Sequence, residues 1–124
     1  MVSLFQLGEF TLHSGQKSRW KIDCDALTPE DWEALAAMAV EKLPPFYKVI
    51  GIPSGGLQFA RALRPYQSDR LEDGYLIVDD VWTTGDSIRR TYALSPTTRA
   101  CVVFARGPVD AWVTALFQMP ENSV

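Results

Sequence analysis

The stretch Tyr75-Leu76-Ile77-Val78-Asp79-Asp80-Val81-Trp82-Thr83-Thr84-Gly85-Asp86-Ser87 decides the fold. Four apolar residues have the length of a buried strand, predicted over Tyr75–Asp79, and the polar burst stands where such a strand ends. A helix follows over Ser87–Leu94. In an open α/β sheet, ligands bind outside the carboxyl ends of the strands, so the two acids belong at the mouth of a site.

Working outward, the flanking segments repeat this grammar. Thr28-Pro29-Glu30-Asp31 reads as a helix start, with a capping hydroxyl, a proline at the first position and acids in the first turn. Trp32, Leu35, Ala36, Ala39, Val40 and Leu43 recur at helical spacing until Pro44-Pro45 ends the element. A strand is predicted over Phe46–Ile52, a short helix around Leu57–Leu63, a connection over 65–74 and a third strand over Arg99–Ala105. Trp112–Phe117 is apolar but fits either type of element. This alternation predicts an α/β fold, a doubly wound parallel sheet with right-handed crossovers. Three loops then meet at one sheet edge: Pro53–Gly56, Asp79–Ser87 and Arg106-Gly107.

The 124 residues form one domain, with ordinary apolar (47%) and charged (22%) content. A net charge of −3 argues against broad attraction for nucleic acid, so an anionic ligand needs local donors. The N-terminus lacks the pattern of a signal peptide, and no segment has the length of a membrane span. Cys24 and Cys101 are not in metal-ligand spacing, and Cys101 stands in an apolar run, which favours a buried thiol and a reducing cytoplasm.

In Thr83-Thr84-Gly85-Asp86-Ser87, free amides at a helix start and three hydroxyls suit a phosphate; the bland alternative is an ordinary N-cap. Asp79 and Asp80 repel each other unless they meet a cation or hydroxyl donors. Strand alternation sends them to opposite faces, one orienting the loop and the other meeting ligand. Pro53-Ser54-Gly55-Gly56 offers backbone amides to a second anionic group, or simply a tight turn. Arg106 suits a planar carboxylate, unless it is an ordinary surface arginine. Trp112 stacks on a planar base or belongs to the core, and His13 has no partner in view. Together these groups point to a phosphorylated sugar.

Tyr75–Ser87 resembles the signature of the type I phosphoribosyltransferases, which bind 5-phosphoribosyl-1-pyrophosphate (PRPP). The resemblance implies that Asp79 and Asp80 are catalytic, meeting the ribose hydroxyls and Mg²⁺, and that Thr83, Thr84, Gly85, Asp86 and Ser87 wrap the 5-phosphate. Pro53, Ser54, Gly55 and Gly56 take the place of the pyrophosphate loop. Gly8–Ser18 is similar to the N-terminal segment of orotate phosphoribosyltransferases, and Arg106 fits the arginine that holds the orotate carboxylate. Asp110–Val113 resembles the segment by which 6-oxopurine enzymes read their base, which keeps purines open as acceptors.

Two departures stand out. His13 replaces a lysine of the orotate branch, and the short 64–74 segment replaces two strands and a mobile basic loop. The resemblance divides the chain into an N-terminal hood-like segment (1–27), a PRPP-binding core (28–107) and a C-terminal segment (108–124). It implies a cytoplasmic homodimer that transfers phosphoribosyl from PRPP to a nucleobase, an orotate-like pyrimidine favoured, with Mg²⁺ as cofactor. The alternative is a regulatory protein that binds PRPP or a nucleotide without turnover.

Overall fold

The computed structural model describes residues 2–12, 14–92 and 98–120. The expectations for His13 and for the helix end at Ala93-Leu94 lie outside these residues. The chain opens with an antiparallel hairpin, β1 (Phe5–Thr11) and β2 (Lys17–Ile22). Helix α1 (Pro29–Lys42) starts as its sequence predicts. The Thr28 hydroxyl accepts from the Asp31 amide at 3.1 Å, and the Asp31 carboxylate accepts from the Thr28 amide at 2.8 Å. Reciprocal capping of this kind satisfies two orphan donors and contributes about 1 kcal/mol. The face carrying Trp32, Leu35, Ala36 and Ala39 is buried.

Strand β3 (Lys48–Gly51) is shorter than predicted at both ends. The Phe46 carbonyl accepts from the Ser68 amide, and the Tyr47 amide donates to Gly74, so both residues serve the 64–74 connection rather than the sheet. Helix α2 (Leu57–Leu63) follows, and two single 3₁₀ turns, Arg64–Tyr66 and Leu71–Asp73, make up most of that connection. Strand β4 (Tyr75–Trp82) runs three residues past its predicted end, because Val81 and Trp82 keep their pairing with Phe104 and Ala105. Helix α3 (Asp86–Tyr92) starts one residue early, and β5 spans Arg99–Arg106. The ambiguous Trp112–Phe117 stretch resolves as a strand, β6 (Val113–Met119).

The main sheet has the order β3-β4-β5-β6, and every pairing is parallel. Its two faces carry separate cores. Leu76, Val78, Cys101 and Val103 pack against α1 and α2, through Trp32, Phe59 and Leu63. Ile77, Ala100 and Val102 pack against Ile88 of α3 and against Val109 and Trp112 of the loop after β5. Helices on both faces make the sheet doubly wound, as predicted. The crossovers differ from expectation. The strands follow one another in a single direction across the sheet, yet α2 lies on one face while α3 and the 107–112 loop lie on the other. The β3–β4 connection therefore has the opposite hand to the next two, so they cannot all be right-handed. The cause lies in 64–74, which passes the free edge of β3, where the Gln67 side-chain oxygen accepts from the Val49 amide at 2.9 Å. Among the described residues, no helix is long and apolar enough to cross a membrane.

Candidate functional site

At the carboxyl edge of the sheet the end of β4 and its loop stand between the other two loops and touch each. The Ile52 amide donates to the Val78 carbonyl at 2.9 Å, which brings Pro53–Gly56 over the end of β4. A Cβ at Gly55 would stand 2.5 and 2.6 Å from the Asp80 carboxylate oxygens, and one at Gly56 would overlap the Val78 carbonyl. Both glycines are required for close approach, and Gly55 seats the loop directly on Asp80. The Pro53–Ser54 peptide is cis. From the other side the Trp82 indole N–H donates to the Pro108 carbonyl at 3.1 Å. Ile52 and Pro53 line a cleft of about 360 Å³ with Ser87, Arg90 and Thr91 of α3. A second hollow of about 430 Å³, between the hairpin, α1 and β6, is almost wholly apolar and holds none of the predicted site residues.

Asp79 and Asp80 are half-buried. The Asp79 carboxylate accepts from the Asp80 amide at 2.9 Å, and the Asp80 carboxylate accepts from the Val81 amide at 2.7 Å. Burial, followed by the neighbouring Asp80 carboxyl, raises the Asp79 pKa from 3.8 to about 8. Burial, together with the nearby Asp80 carboxylate, pushes the Cys24 thiol pKa up. Both cysteines are free and buried.

A pH dependence follows. Between about 4 and 8 the unfolded chain has lost the Asp79 proton while the folded chain keeps it. The folded state then binds more protons, so stability from this group falls as pH rises through that window and levels off above it. Urea midpoints are expected to drop from pH 5 to pH 8 in the wild type and to change less in Asp79→Asn. Equal slopes in the two proteins would contradict this.

The loop after β4 is built for tightness. Gly85 is buried with φ +83°, and its α-carbon lies against the Trp82 ring. Thr83 and Thr84 are half-buried, while Asp86 and Ser87 are exposed. The Arg89 guanidinium donates to the Thr84 carbonyl at 2.8 Å and makes a two-pronged ion pair with Asp110 at 2.8 and 2.9 Å. Hydrogen bonding to Arg89 holds the Asp110 carboxyl below the usual carboxylate range.

Two expectations change. Arg106 is no surface arginine; it is 4% exposed. It donates to the Ser18 hydroxyl at 2.9 Å and the Trp20 carbonyl at 2.8 Å, and its guanidinium lies 3.3 Å from the centre of the Trp20 ring. It therefore fastens the hairpin to the end of β5, and its Nε is buried without a partner. Trp112 stacks on Tyr92 at 3.8 Å and 17°, so one face of its ring is taken by α3. Sequence reasoning missed Cys24, Trp20 and Arg89 as members of this region, and named Ser18 and Asp110 only within longer segments. Their partners are far away in sequence, and no local pattern announces them.

The chemistry of the acids suits a divalent cation. Among the described residues no group of three or more His, Cys, Asp or Glu forms a cage. Mg²⁺ is commonly bound by one or two carboxylates with substrate phosphates and water supplying the rest, and a cation would relieve the repulsion within the pair.

No family model matches the sequence, and no curated protein matches it. Solved structures do. The orotate phosphoribosyltransferase of Aeropyrum pernix superposes with a TM-score of 0.73 at 23% identity, over 93% of this chain and 88% of the other. The Leishmania donovani UMP synthase gives 0.74 at 19%, over 94% of this chain and 34% of that longer one. The Mycobacterium tuberculosis orotate phosphoribosyltransferase gives 0.64 at 17%, over 93% and 89%. A Neisseria gonorrhoeae protein with bound ppGpp gives 0.51 at 16%, over 72% and 78%. At these identities the likeness establishes the fold.

Proposed function

We propose that this chain, which has the fold of the orotate phosphoribosyltransferases, binds PRPP with Mg²⁺ and transfers its phosphoribosyl group to a nucleobase, an orotate-like pyrimidine favoured, releasing pyrophosphate. The observation that carries this reading is the half-buried Asp79–Asp80 pair at the end of β4, with Gly55 seated on Asp80 and the hydroxyl-bearing loop following. A homodimer in the cytoplasm belongs to the same proposal.

In this reaction a base nitrogen attacks the anomeric carbon, and pyrophosphate leaves through a transition state with positive charge on the ribose ring. Asp79 and Asp80 accept from the ribose hydroxyls and stabilise that charge electrostatically. Thr83–Ser87 hold the 5-phosphate, and Pro53–Gly56 present amides to the pyrophosphate. Asp79 and Asp80 would also hold Mg²⁺, which when bound supplies charge neutralisation for the leaving group. No covalent nucleophile is needed, and orientation of two bound substrates supplies much of the acceleration.

A specific observation favours a second reading, a regulatory protein that binds PRPP or a nucleotide without turnover. Residues 64–74 contain no lysine, and of their two arginines Arg70 is paired with Glu72 at 2.9 Å. Nucleotide binding on this fold also agrees with the bound ppGpp of the Neisseria gonorrhoeae protein. Calorimetry with Mg-PRPP, followed by pyrophosphate release over orotate, uracil, hypoxanthine and guanine, separates the two. The transferase reading expects binding and release with one base. Binding without release for any base selects the regulatory reading, and no binding of Mg-PRPP removes both in their PRPP form.

A further inference from the structure

We infer that Arg89 is a positioning residue that locks the 83–87 loop to the 107–112 loop, so that the grip on a phosphate at one depends on the placement of the other. This rests on the phosphoribosyl reading for its ligand, but the lock itself is visible in the protein alone.

Each nitrogen of the Arg89 guanidinium donates a hydrogen bond. One nitrogen donates to the Thr84 carbonyl at 2.8 Å, and the other two donate to the two oxygens of Asp110 at 2.8 and 2.9 Å. Its plane lies 5.2 Å from the centre of the Trp82 ring. Two further contacts run in parallel, the Trp82 indole to the Pro108 carbonyl and the Tyr92–Trp112 stack one helical turn along α3. Binding the Thr84 carbonyl fixes the orientation of the peptide between Thr84 and Gly85, in the middle of the loop. The Arg89 amide also donates to the Gly85 carbonyl at 2.9 Å, so one residue holds two successive carbonyls.

The ion pair is partly exposed, at 48% for the Arg89 side chain and 31% for that of Asp110. Pairs this accessible add little to stability. What this one supplies is geometry, because a planar fork meeting a carboxylate edge-on fixes both partners in angle as well as distance. A lysine has the charge without the fork.

The test uses the whole chain. Hydrogen exchange of the ligand-free protein is expected to show the 83–87 amides opening roughly fivefold or more faster in Asp110→Asn, although that substitution is in the other loop. Asp110→Glu, which keeps a carboxylate, restores most of the protection, whereas Arg89→Lys does not. Calorimetry with Mg-PRPP is expected to show roughly a tenfold loss of affinity in Asp110→Asn, with the melting temperature little changed. Wild-type exchange at 83–87 in Asp110→Asn, or wild-type behaviour of Arg89→Lys, overturns the lock. Exchange that responds as expected in a protein that binds no Mg-PRPP supports the lock and overturns the phosphoribosyl reading instead.

Discussion

Replacing Asp79 and Asp80 together by asparagine is expected to weaken Mg-PRPP binding, or turnover where it occurs, by roughly tenfold or more, a loss of at least about 1.4 kcal/mol. The substitution keeps the size of both side chains and removes their charge. Without charge the pair cannot hold a divalent cation, and its hydrogen bonds to ribose hydroxyls lose the strength that an ionised acceptor gives. The same change relieves the folded, ligand-free protein, because burial and the neighbouring Asp80 carboxyl are what raise the Asp79 pKa. Affinity is therefore expected to fall while the melting temperature at pH 8 holds or rises. That opposition separates a functional pair from a structural one, for which both quantities would fall together. Calorimetry and thermal melting on the double variant are sufficient, and unchanged affinity would remove the acids from the site.

The second large effect is expected from Gly85→Ala. Gly85 has φ +83°, where an L side chain costs about 1–2 kcal/mol. Its new methyl would also be driven into the ring of Trp82, which is 2% exposed and held through its N–H by Pro108. Overpacking of that kind costs about 1–3 kcal/mol, so the two contributions together amount to roughly 2–5 kcal/mol. The ring has no empty space to enter, so part of the cost is expected to appear as a displaced 83–87 loop. Urea denaturation followed by tryptophan fluorescence is expected to show an earlier midpoint, and Mg-PRPP affinity is expected to fall with it. A variant with the wild-type midpoint would show that the loop can shift away from Trp82 at no cost.

Much of this architecture was legible along the chain. The Thr28 cap, the apolar spacing of α1 and the double proline after it are local instructions, and the helix obeys them. The stretch at residue 75 announced a strand, acids at its mouth and a helix beyond. It did not announce that β4 continues through Asp80 to Trp82, because that depends on pairing with Phe104 and Ala105. Trp112–Phe117 read ambiguously because a short apolar run serves a buried strand or a helix equally well. Only β5, lying alongside, decides for a strand.

Arg106 shows the limit most clearly. Its position after a strand suggested an open guanidinium at the mouth. The hairpin instead folds 86 residues of chain back onto it, with the Trp20 ring and carbonyl taking its face and edge. Trp112 likewise has one face of its ring against Tyr92.

The sequence by itself determined the types of the elements from α1 to β5, the parallel order implied by their alternation and the collection of acids, hydroxyls and glycines at one sheet edge. Those depend on periodicity, capping and turn chemistry, which act between residues a few positions apart. Tertiary structure alone decided the hand of the β3–β4 connection, the raised pKa of Asp79, and the partners of Arg89 and Arg106. Those depend on burial and on contacts between distant segments, and a carboxylate or guanidinium acquires its protonation and its freedom only when its surroundings are in place.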